Sequence, residues 1–549
     1  MNMIKKLFNK NILNTKPSSS IASAAFIITT AGLASRALGL LRDRFLAGAF
    51  GAGNTLDVYY AAFRVPDLVY NLLIFGALSA AFIPVFAGLI SQKKDDEAWE
   101  VANGVMNLAV MVIIILAVVL GIFAPELMKI ITPGFPPEKI TETVLFTRIM
   151  FLSPLLLGVS GIFGGILTSF RRFLIYSIAP LFYNLGIIIG ILVFVRFMGP
   201  VGLAWGVVLG AAMHLTVQYF AVKNLGYRHV WLSRGHLINK DVRKVIKLMI
   251  PQTMGIAIIQ FNLFIITIFA STLAAGSLSI INFAQNLQSV PVGLFGASFA
   301  IAVFPTLSAS FAKNDHSDFI RYFSETFRQI LFFIIPSTVF VILLKAQLVR
   351  VVLGTGKFDW TDTVLTFQVL QIFALSLFAQ CLTPLLARAF YSMHDTKTPF
   401  YMAAFSELIN IICILNFIHP FGIMGLAWAF SISTMVETLA LLFFIRMRLE
   451  NLDDKEILRS LAKIALASIL AGIGIQITKY AVNEVVNIDT FLGIFSQLAV
   501  SSGVGIAIFL LACQVFQIEE FMSFKNSLTK RLFRSRKNII EDLGDVSGM

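Results

Sequence analysis

Charge is scarce in this chain of 549 residues. Asp, Glu, Lys and Arg together make up only 13%, about half the 25% share of an ordinary soluble domain. That scarcity excludes a simple soluble globule of this size. Histidine is thin at 6 residues and cysteine thinner at 3. Cys381, Cys413 and Cys513 all lie inside apolar runs, with neither metal spacing nor a disulfide framework, so buried small-residue packing is their expected role. His214 reads as a packed polar residue, and His229, His236, His316, His394 and His419 fall in or near loops. No metal constellation and no nucleotide-binding loop is present. The connecting loops expected on the outer side lack the clustered carboxylates that metal or acid–base chemistry needs, which argues against a membrane-embedded glycosyltransferase.

What the chain has instead is apolar length. Hydrophobic residues make up 57%, and Phe alone contributes 52 residues. A spanning helix needs roughly 20 apolar residues. About fourteen such spans can be counted by the hydropathy window: 21–48, 57–90, 101–124, 144–168, 173–197, 201–222, 246–272, 280–311, 325–345, 364–390, 399–418, 422–446, 458–480 and 489–516. The expected fold class is an all-α polytopic membrane protein. The net charge of +13 is then a mark of cytoplasmic loops and not of a nucleic-acid partner. Lys93-Lys94, Arg171-Arg172, the stretch 223–247, Lys397, the stretch 446–459 and the tail 525–537 fall on one side, while 272–279 carries no Lys or Arg and 482–489 only acidic charge. The basic segment 1–20 precedes the first apolar run. Ala22-Ser23-Ala24 also precedes that run, whereas a cleavage site follows one, so the first helix is expected to stay and both termini to be cytoplasmic.

A repeat organises these spans. Phe75-Gly76-Ala77 recurs as Phe295-Gly296-Ala297, each followed by a proline, Pro84 and Pro305. Thr141-Glu142-Thr143-Val144-Leu145 recurs as Thr361-Asp362-Thr363-Val364-Leu365, and Gly202-Leu203-Ala204-Trp205 as Gly425-Leu426-Ala427-Trp428. The offset is about 220 residues each time, too regular for composition alone. Six spans per copy make the copies parallel, as in some transporter folds that bind substrate between their halves. The expected organisation is a cytoplasmic segment 1–20, a lobe 21–222, a basic linker 223–245, a second lobe 246–446, two added helices over 458–516, and a basic tail 517–549. The tail's basic charge suits anionic lipid, or a protein partner if the chain is a non-transporting scaffold.

Charges inside spans cost at least about 2.5–3.5 kcal/mol at the bilayer centre and so tend to face a cavity. The first two spans hold Arg36, Arg42, Asp43, Arg44, Asp57, Arg64 and Asp67. At about 100° per residue, Arg36, Arg42 and Asp43 share a broad helix face. Arginine forks bind phosphate oxygens and stay charged when desolvated. Arg36, Arg42 and Arg64 are therefore candidates for holding an anionic lipid headgroup, with Asp43 and Asp57 orienting arginines or gating. The plainer reading places Arg42, Asp43 and Arg44 at the membrane edge, paired with one another. Further along, Asn262 with Gln260, Glu407 with Asn410, and Thr434 with Glu437 offer oxygens for Na⁺ or a proton, or simply helix–helix hydrogen bonds. Pro66, Pro84, Pro154, Pro180, Pro291, Pro305, Pro336 and Pro384 can break or kink helices, with most of them expected to be accommodated by neighbouring helices that satisfy the freed backbone groups.

The run Ser35-Arg36-Ala37-Leu38-Gly39-Leu40-Leu41-Arg42-Asp43, then Phe50-Gly51-Ala52-Gly53 and Asp57, resembles the N-terminal signature of the MurJ (MviN) family. Gly76-Ala77, Ala81-Phe82, Pro84, Thr132-Pro133-Gly134-Phe135, Gly356-Lys357-Phe358 and Phe390-Tyr391-Ser392 with Asp395, Lys397, Thr398 and Pro399 agree with it. The resemblance covers most of the chain and is weakest in the last two helices. It implies a fourteen-helix exporter-superfamily fold and flipping of lipid II, the undecaprenyl-pyrophosphate-linked peptidoglycan precursor, across the bacterial inner membrane. It also implies functional importance for Arg36, Arg42 and Asp57, a lipid-tail groove at the two added helices, no cofactor, and drive by membrane potential or sodium. The chain departs from the family pattern at Tyr70 and Asn286, which stand where the family has arginines, and at Phe75, which stands where it has a glutamate. Asn286, flanked by Gln285 and Gln288, is thus a neutral candidate for substrate contact. Another lipid-linked oligosaccharide or polysaccharide is the alternative cargo; an exporter of cationic drugs would call for an acidic cavity.

Overall fold

The computed structural model describes residues 21–75, 81–231 and 240–526. The lysines of 1–20, Gly76-Ala77, His236 and the tail beyond 526 lie outside the described residues. All regular structure among the described residues is helical. We number the helices α1 (Ile21–Phe50), α2 (Asn54–Tyr70), α3 (Ile83–Ser91), α4 (Asp95–Ile122), α5 (Ala124–Ile131), α6 (Pro137–Met150), α7 (Leu152–Ser169), α8 (Phe173–Ile189) and α9 (Gly202–Lys223). They continue with α10 (Lys240–Ser271), α11 (Ser277–Pro291), α12 (Ser298–Ala312), α13 (His316–Leu343), α14 (Lys345–Leu353), α15 (Trp360–Leu375) and α16 (Leu377–Ser392). The last four are α17 (Lys397–Phe421), α18 (Ile423–Leu449), α19 (Asp454–Val485) and α20 (Phe491–Val515).

The outward surface is that of a membrane protein. Met111, Ile114, Ile115, Val118, Val119 and Ile122 all stand exposed along α4. Water would not tolerate an apolar face of this extent, and acyl chains satisfy it. Each expected span overlaps a helix. By length and hydropathy alone, nine helical stretches among the described residues can cross a membrane, or ten with the bent pair α15 and α16 taken as one. One of the nine, Phe173–Lys223, turns back on itself at Gly199-Pro200, where Gly199 takes a positive φ.

Contacts sort the chain into two units. The first is Met1–Phe283 with Val352–Leu365 and Ile414–Leu426, and the second is Ala284–Val351 with Thr366–Cys413 and Ala427–Met549. The first unit packs around Phe82, Phe86, Ile162, Ile166 and Ala221, and around Ile113, Met128 and Phe151. The α8–α9 pair is built on glycine. A Cβ at Gly186 would lie 2.3 Å from Gly210, and one at Gly190 would lie 2.4 Å from Gly206. Spacing small residues four apart lets two helix backbones touch, the usual device where lipid supplies no hydrophobic drive. The second unit packs around Phe323, Leu331, Leu382, Leu386 and Phe390, and α19 joins α20 through Ala467, Ala471, Phe509 and Ala512.

Most of these prolines are accommodated within helices. Pro66, Pro180, Pro305, Pro336 and Pro384 are contained within α-helices, and Pro84 sits in the first turn of α3, where no backbone donor is lost. The 45° bend in the tenth span falls between Leu375 and Leu377, away from Pro384. The span expected over 57–90 is not one continuous α-helix either. It passes into a π-turn at Asn71–Phe75 and resumes as α3. The second repeat copy does the same, with a π-turn at Val292–Ala297 after Pro291. A π-turn in an α-helix is often a functional feature, and here it falls on the repeated Phe-Gly-Ala motif or just before it. All three cysteines carry free thiols, with Cys381 and Cys513 fully buried. His214 is packed as expected, its Nδ1 2.7 Å from Ser160 Oγ.

Candidate functional site

Two arginines of the first two spans, Arg42 and Arg64, bond to side chains inside the first unit. Arg42 directs Nε and Nη2 at Asp43 Oδ1, at 3.0 and 2.8 Å, and Nη1 at Asn184 Oδ1 on α8, at 3.1 Å. Asp43 is 2% exposed while the Arg42 side chain keeps 22% exposure. Asn184 is oriented in turn by its own amide, which donates to the Pro180 carbonyl. A proline one helical turn ahead thus positions the acceptor. Arg36 lies six residues before Arg42 on the same helix and is half-buried. The Arg42–Asp43 pair is the one the plainer reading named, while Arg44 Nη1 reaches the Val352 carbonyl at 3.5 Å.

Arg64 forms a second cluster. It is buried, donating from Nε to Thr267 Oγ1 at 2.7 Å and from Nη2 to Asn282 Oδ1 at 3.3 Å. These bonds tie α2 to α10 and α11. Tyr60, one turn before Arg64, is within electrostatic range of Asp43, Arg42 and Arg64, and Asp67 is within range of Arg64. The Tyr60 hydroxyl is buried without a hydrogen-bond partner among the described residues, a polar atom left to be satisfied.

Asp57 belongs to a third cluster, a latch. Its Oδ2 accepts from Lys139 Nζ at 3.0 Å and from the Gly276 N–H at 2.7 Å, and its Oδ1 accepts from Ser279 N–H at 3.0 Å and Ser279 Oγ at 2.8 Å. Lys139 also donates to Asn54 Oδ1 and lies 3.8 Å above the Phe135 ring. A carboxylate with four donors caps α11 and is fully used. The motif glycines close the same end of the unit. A Cβ on Gly134 would lie 2.2 Å from the Ser271 carbonyl oxygen, one on Gly276 2.2 Å from that of Ala52, and one on Gly356 2.2 Å from that of Gly48. The Lys357 N–H donates to the Gly48 carbonyl, and the Ala52 N–H donates to Asp362 Oδ2. The repeat is visible in this arrangement: Gly134 against Ser271 and Gly356 against Gly48 are equivalent contacts at an offset of about 220 residues.

The remaining candidates lie elsewhere. Tyr70 packs against Val65, Val69 and Phe151 in an apolar cluster. Asn286 belongs to the second unit, as do Glu407, Asn410 and Thr434, while Asn262 belongs to the first. Glu407 Oε1 accepts from Asn410 Nδ2 at 3.2 Å, and both side chains are buried. Thr434 bonds back to the Phe430 carbonyl, as a helical threonine in lipid does. No group of three or more His, Cys, Asp or Glu that could hold a metal is found among the described residues. Sequence reasoning did not single out Asn184, Lys139, Thr267 or Asn282. Lys139 had a readable signal, being a lysine at a helix start in a connection expected on the outer side.

The family model described as Lipid II flippase MurJ matches residues 46–496. A probable lipid II flippase MurJ from Buchnera aphidicola subsp. Acyrthosiphon pisum (strain APS) is 30% identical over 413 residues, covering 74% of this chain and 80% of that protein. One from Rhizobium tropici is 27% identical over 516 residues, covering 92% and 94%. Among solved structures, a lipid II flippase MurJ in an inward closed conformation superposes with a TM-score of 0.74 at 24% identity, covering 89% of this chain and 98% of that one. An inward-facing multidrug resistance MATE family transporter of the MOP superfamily gives 0.64 at 14% identity, covering 78% and 99%. The fold is shared with both.

Proposed function

The chain belongs to the lipid II flippase MurJ family, and from that premise we propose that it moves lipid II from the cytoplasmic to the outer leaflet of the bacterial inner membrane, with both termini cytoplasmic. It is a transporter, and no bond of the cargo is made or broken. The observation that carries the reading is the placement of Arg42, a partly exposed side chain whose fork is held by Asp43 and Asn184 and which is within range of Tyr60, itself within range of Arg64. Arg36 and Arg42 would take the pyrophosphate, Asp43 and Asn184 would aim the fork, and Arg64 would add charge behind Tyr60. The Asp57 latch would close the outer end while the headgroup enters from the cytoplasm. Its release would be the outward step. Membrane potential or Na⁺ would drive the cycle, with Asn262, Glu407, Asn410 and Thr434 as the candidate oxygens for an ion.

A second cargo is favoured by one feature. Tyr70 and Asn286 stand where the family resemblance calls for arginine, so the chain holds fewer cations and suits a less charged lipid-linked saccharide. The test is rescue of a strain depleted of its own lipid II flippase. Rescue by the intact protein with failure of Arg42→Ala at equal expression supports the reading. Failure of well-expressed intact protein moves the cargo to the second class, and full rescue by Arg42→Ala removes the site.

A further inference from the structure

Three acids stand in the first two helices, Asp43, Asp57 and Asp67, and two of them are spent. Asp43 is bound by the Arg42 fork, and Asp57 accepts its four donors. Asp67 is not spent. It lies inside α2 and is half-buried. Among the described residues it accepts no hydrogen bond and has no ion-pair contact. Arg64, its electrostatic partner, gives Nε and Nη2 to the neutral oxygens of Thr267 and Asn282 instead. A charge inside a span is costly, and one kept there without a direct partner points to a site.

The surroundings of this carboxylate are aromatic. At about 100° per residue, Tyr59, Phe63, Asp67 and Tyr70 fall on one face of α2. Tyr59 meets the Phe63 ring edge-on, with centroids 4.9 Å apart. The hydroxyls of Tyr59 and Tyr70, and that of Tyr183 on α8, all lie within electrostatic range of Asp67. Tyr59 and Tyr183 are within range of Arg42 as well, and Tyr183 precedes Asn184, the second anchor of the Arg42 fork. The acid and the arginine thus share a tyrosine wall inside the first unit. Counted from the loop 51–53 that joins α1 to α2, Arg42 stands about 12 Å in and Asp67 about 20 Å in, so the two differ by about 8 Å in depth.

Charge balance says what the acid is for. Arg42, Asp43, Arg64 and Asp67 sum to no net charge. A diphosphate arriving at Arg42 adds negative charge that Arg36 offsets only in part, and a low-dielectric interior makes the remainder costly. A cation on the same head group, settling at Asp67, restores the balance. The wall suits an organic ammonium. Its three N–H donors can use the carboxylate and the tyrosine hydroxyls, and aromatic rings favour its charge. A bare metal ion wants a shell of hard oxygen ligands, and no group of three or more His, Cys, Asp or Glu that could hold one is found among the described residues. We propose that Asp67, with Tyr59, Tyr70 and Tyr183, forms a subsite for a primary ammonium, so that the cargo's head group is zwitterionic, with its diphosphate at Arg42 and its ammonium at Asp67. This rests on the flippase reading and narrows the cargo to head groups that carry an amine.

The test uses the full chain in phosphatidylcholine nanodiscs and equilibrium binding of two probes. One is a polyprenyl-diphosphate-linked saccharide peptide with a free lysine amine, and the other is the same lipid with a hydroxyl in place of that amine. The intact protein should bind the amine form about tenfold more tightly, as a charge-assisted contact gives. Asp67→Asn should lose that preference through weaker binding of the amine form alone, and its unchanged binding of the hydroxyl form reports an intact fold. Equal binding of the two forms by the intact protein, or a preference that survives in Asp67→Asn, overturns the subsite. Equal weakening of both forms in Asp67→Asn overturns it too and leaves Asp67 as the counter-charge of Arg64. Each of these outcomes keeps the flippase reading in place, whereas binding of neither form by the intact protein removes both.

Discussion

Asp57 and Ser279 are 222 residues apart in sequence and joined by two hydrogen bonds to one carboxylate oxygen, from the serine amide at 3.0 Å and from its hydroxyl at 2.8 Å. The second oxygen takes Lys139 and the Gly276 amide. In a buried pair, removing one partner strands the other charge, at about 3–5 kcal/mol. Asp57→Ala should therefore destabilise more than Ser279→Ala, which removes one hydroxyl donor worth about 1 kcal/mol. Asp57→Ala/Lys139→Met should recover part of the loss because no unpaired ammonium remains. Thermal unfolding of the purified variants reads this directly. A double variant less stable than Asp57→Ala would refute the pairing as the source of the effect.

Arg42 uses three nitrogens on two acceptors from two helices. Lysine offers a point charge and no fork. Arg42→Lys should therefore lose most of the rescue in a flippase-depleted strain, although net charge is unchanged. Asn184→Leu should lose a smaller part, since the fork keeps Asp43 but loses its second anchor. Growth at matched membrane expression is the measurement. Equal rescue by Arg42→Lys would reduce the role of Arg42 to charge alone.

Helical class, the repeat and the inward turn of Arg42 were all legible from residue spacing, because each depends on periods along one stretch of chain. Partners were not. Asn184 sits between apolar neighbours and gains meaning only from a helix 142 residues away. Asp57 could be recognised as an unusual acid, but its four donors come from α6, from the turn before α11 and from the first turn of α11, which no local pattern names. The prolines are legible only in part, because whether one kinks its helix depends on how neighbouring groups satisfy the carbonyl it frees four residues earlier, which no local pattern names. The glycines of α8 and α9, by contrast, were readable as small residues four apart at 186, 190, 202, 206 and 210, a signal present and passed over.

Those glycines give a sharp contrast in stability. A side chain at Gly190 or Gly206 meets backbone, which cannot rotate aside. Gly206→Val should force α8 and α9 apart and cost at least the 1–3 kcal/mol usual for overpacking. Gly121→Ala, which meets open space, should be neutral or slightly stabilising, since glycine in a helix costs about 1 kcal/mol relative to alanine. Melting curves of the two variants in the same detergent decide it. A similar drop in both would assign the effect to helix propensity in place of the backbone contact.

A last expectation concerns the segment after α9. Asn103 and Asn107 of α4 hold it by donating to the carbonyls of Arg228 and Val230, and Asn103 Oδ1 accepts from the Val230 amide and the Tyr227 hydroxyl. His229 approaches Tyr227 Oη at 3.1 Å and stacks edge-on to Trp231, centroids 4.7 Å apart. Burial lowers the His229 pKa below its ordinary value, near 6.5 for a free imidazole. The sign follows from linkage: the docked state prefers neutral imidazole, so its stability is complete above about pH 6.5 and declines as pH falls toward the lowered value. Mild acid should thus loosen the segment. Trp231 emission, taken as the difference between the intact protein and Trp231→Phe, should change between pH 7 and about pH 5, and His229→Gln should abolish the change. A transition that persists in His229→Gln would place the titrating group elsewhere.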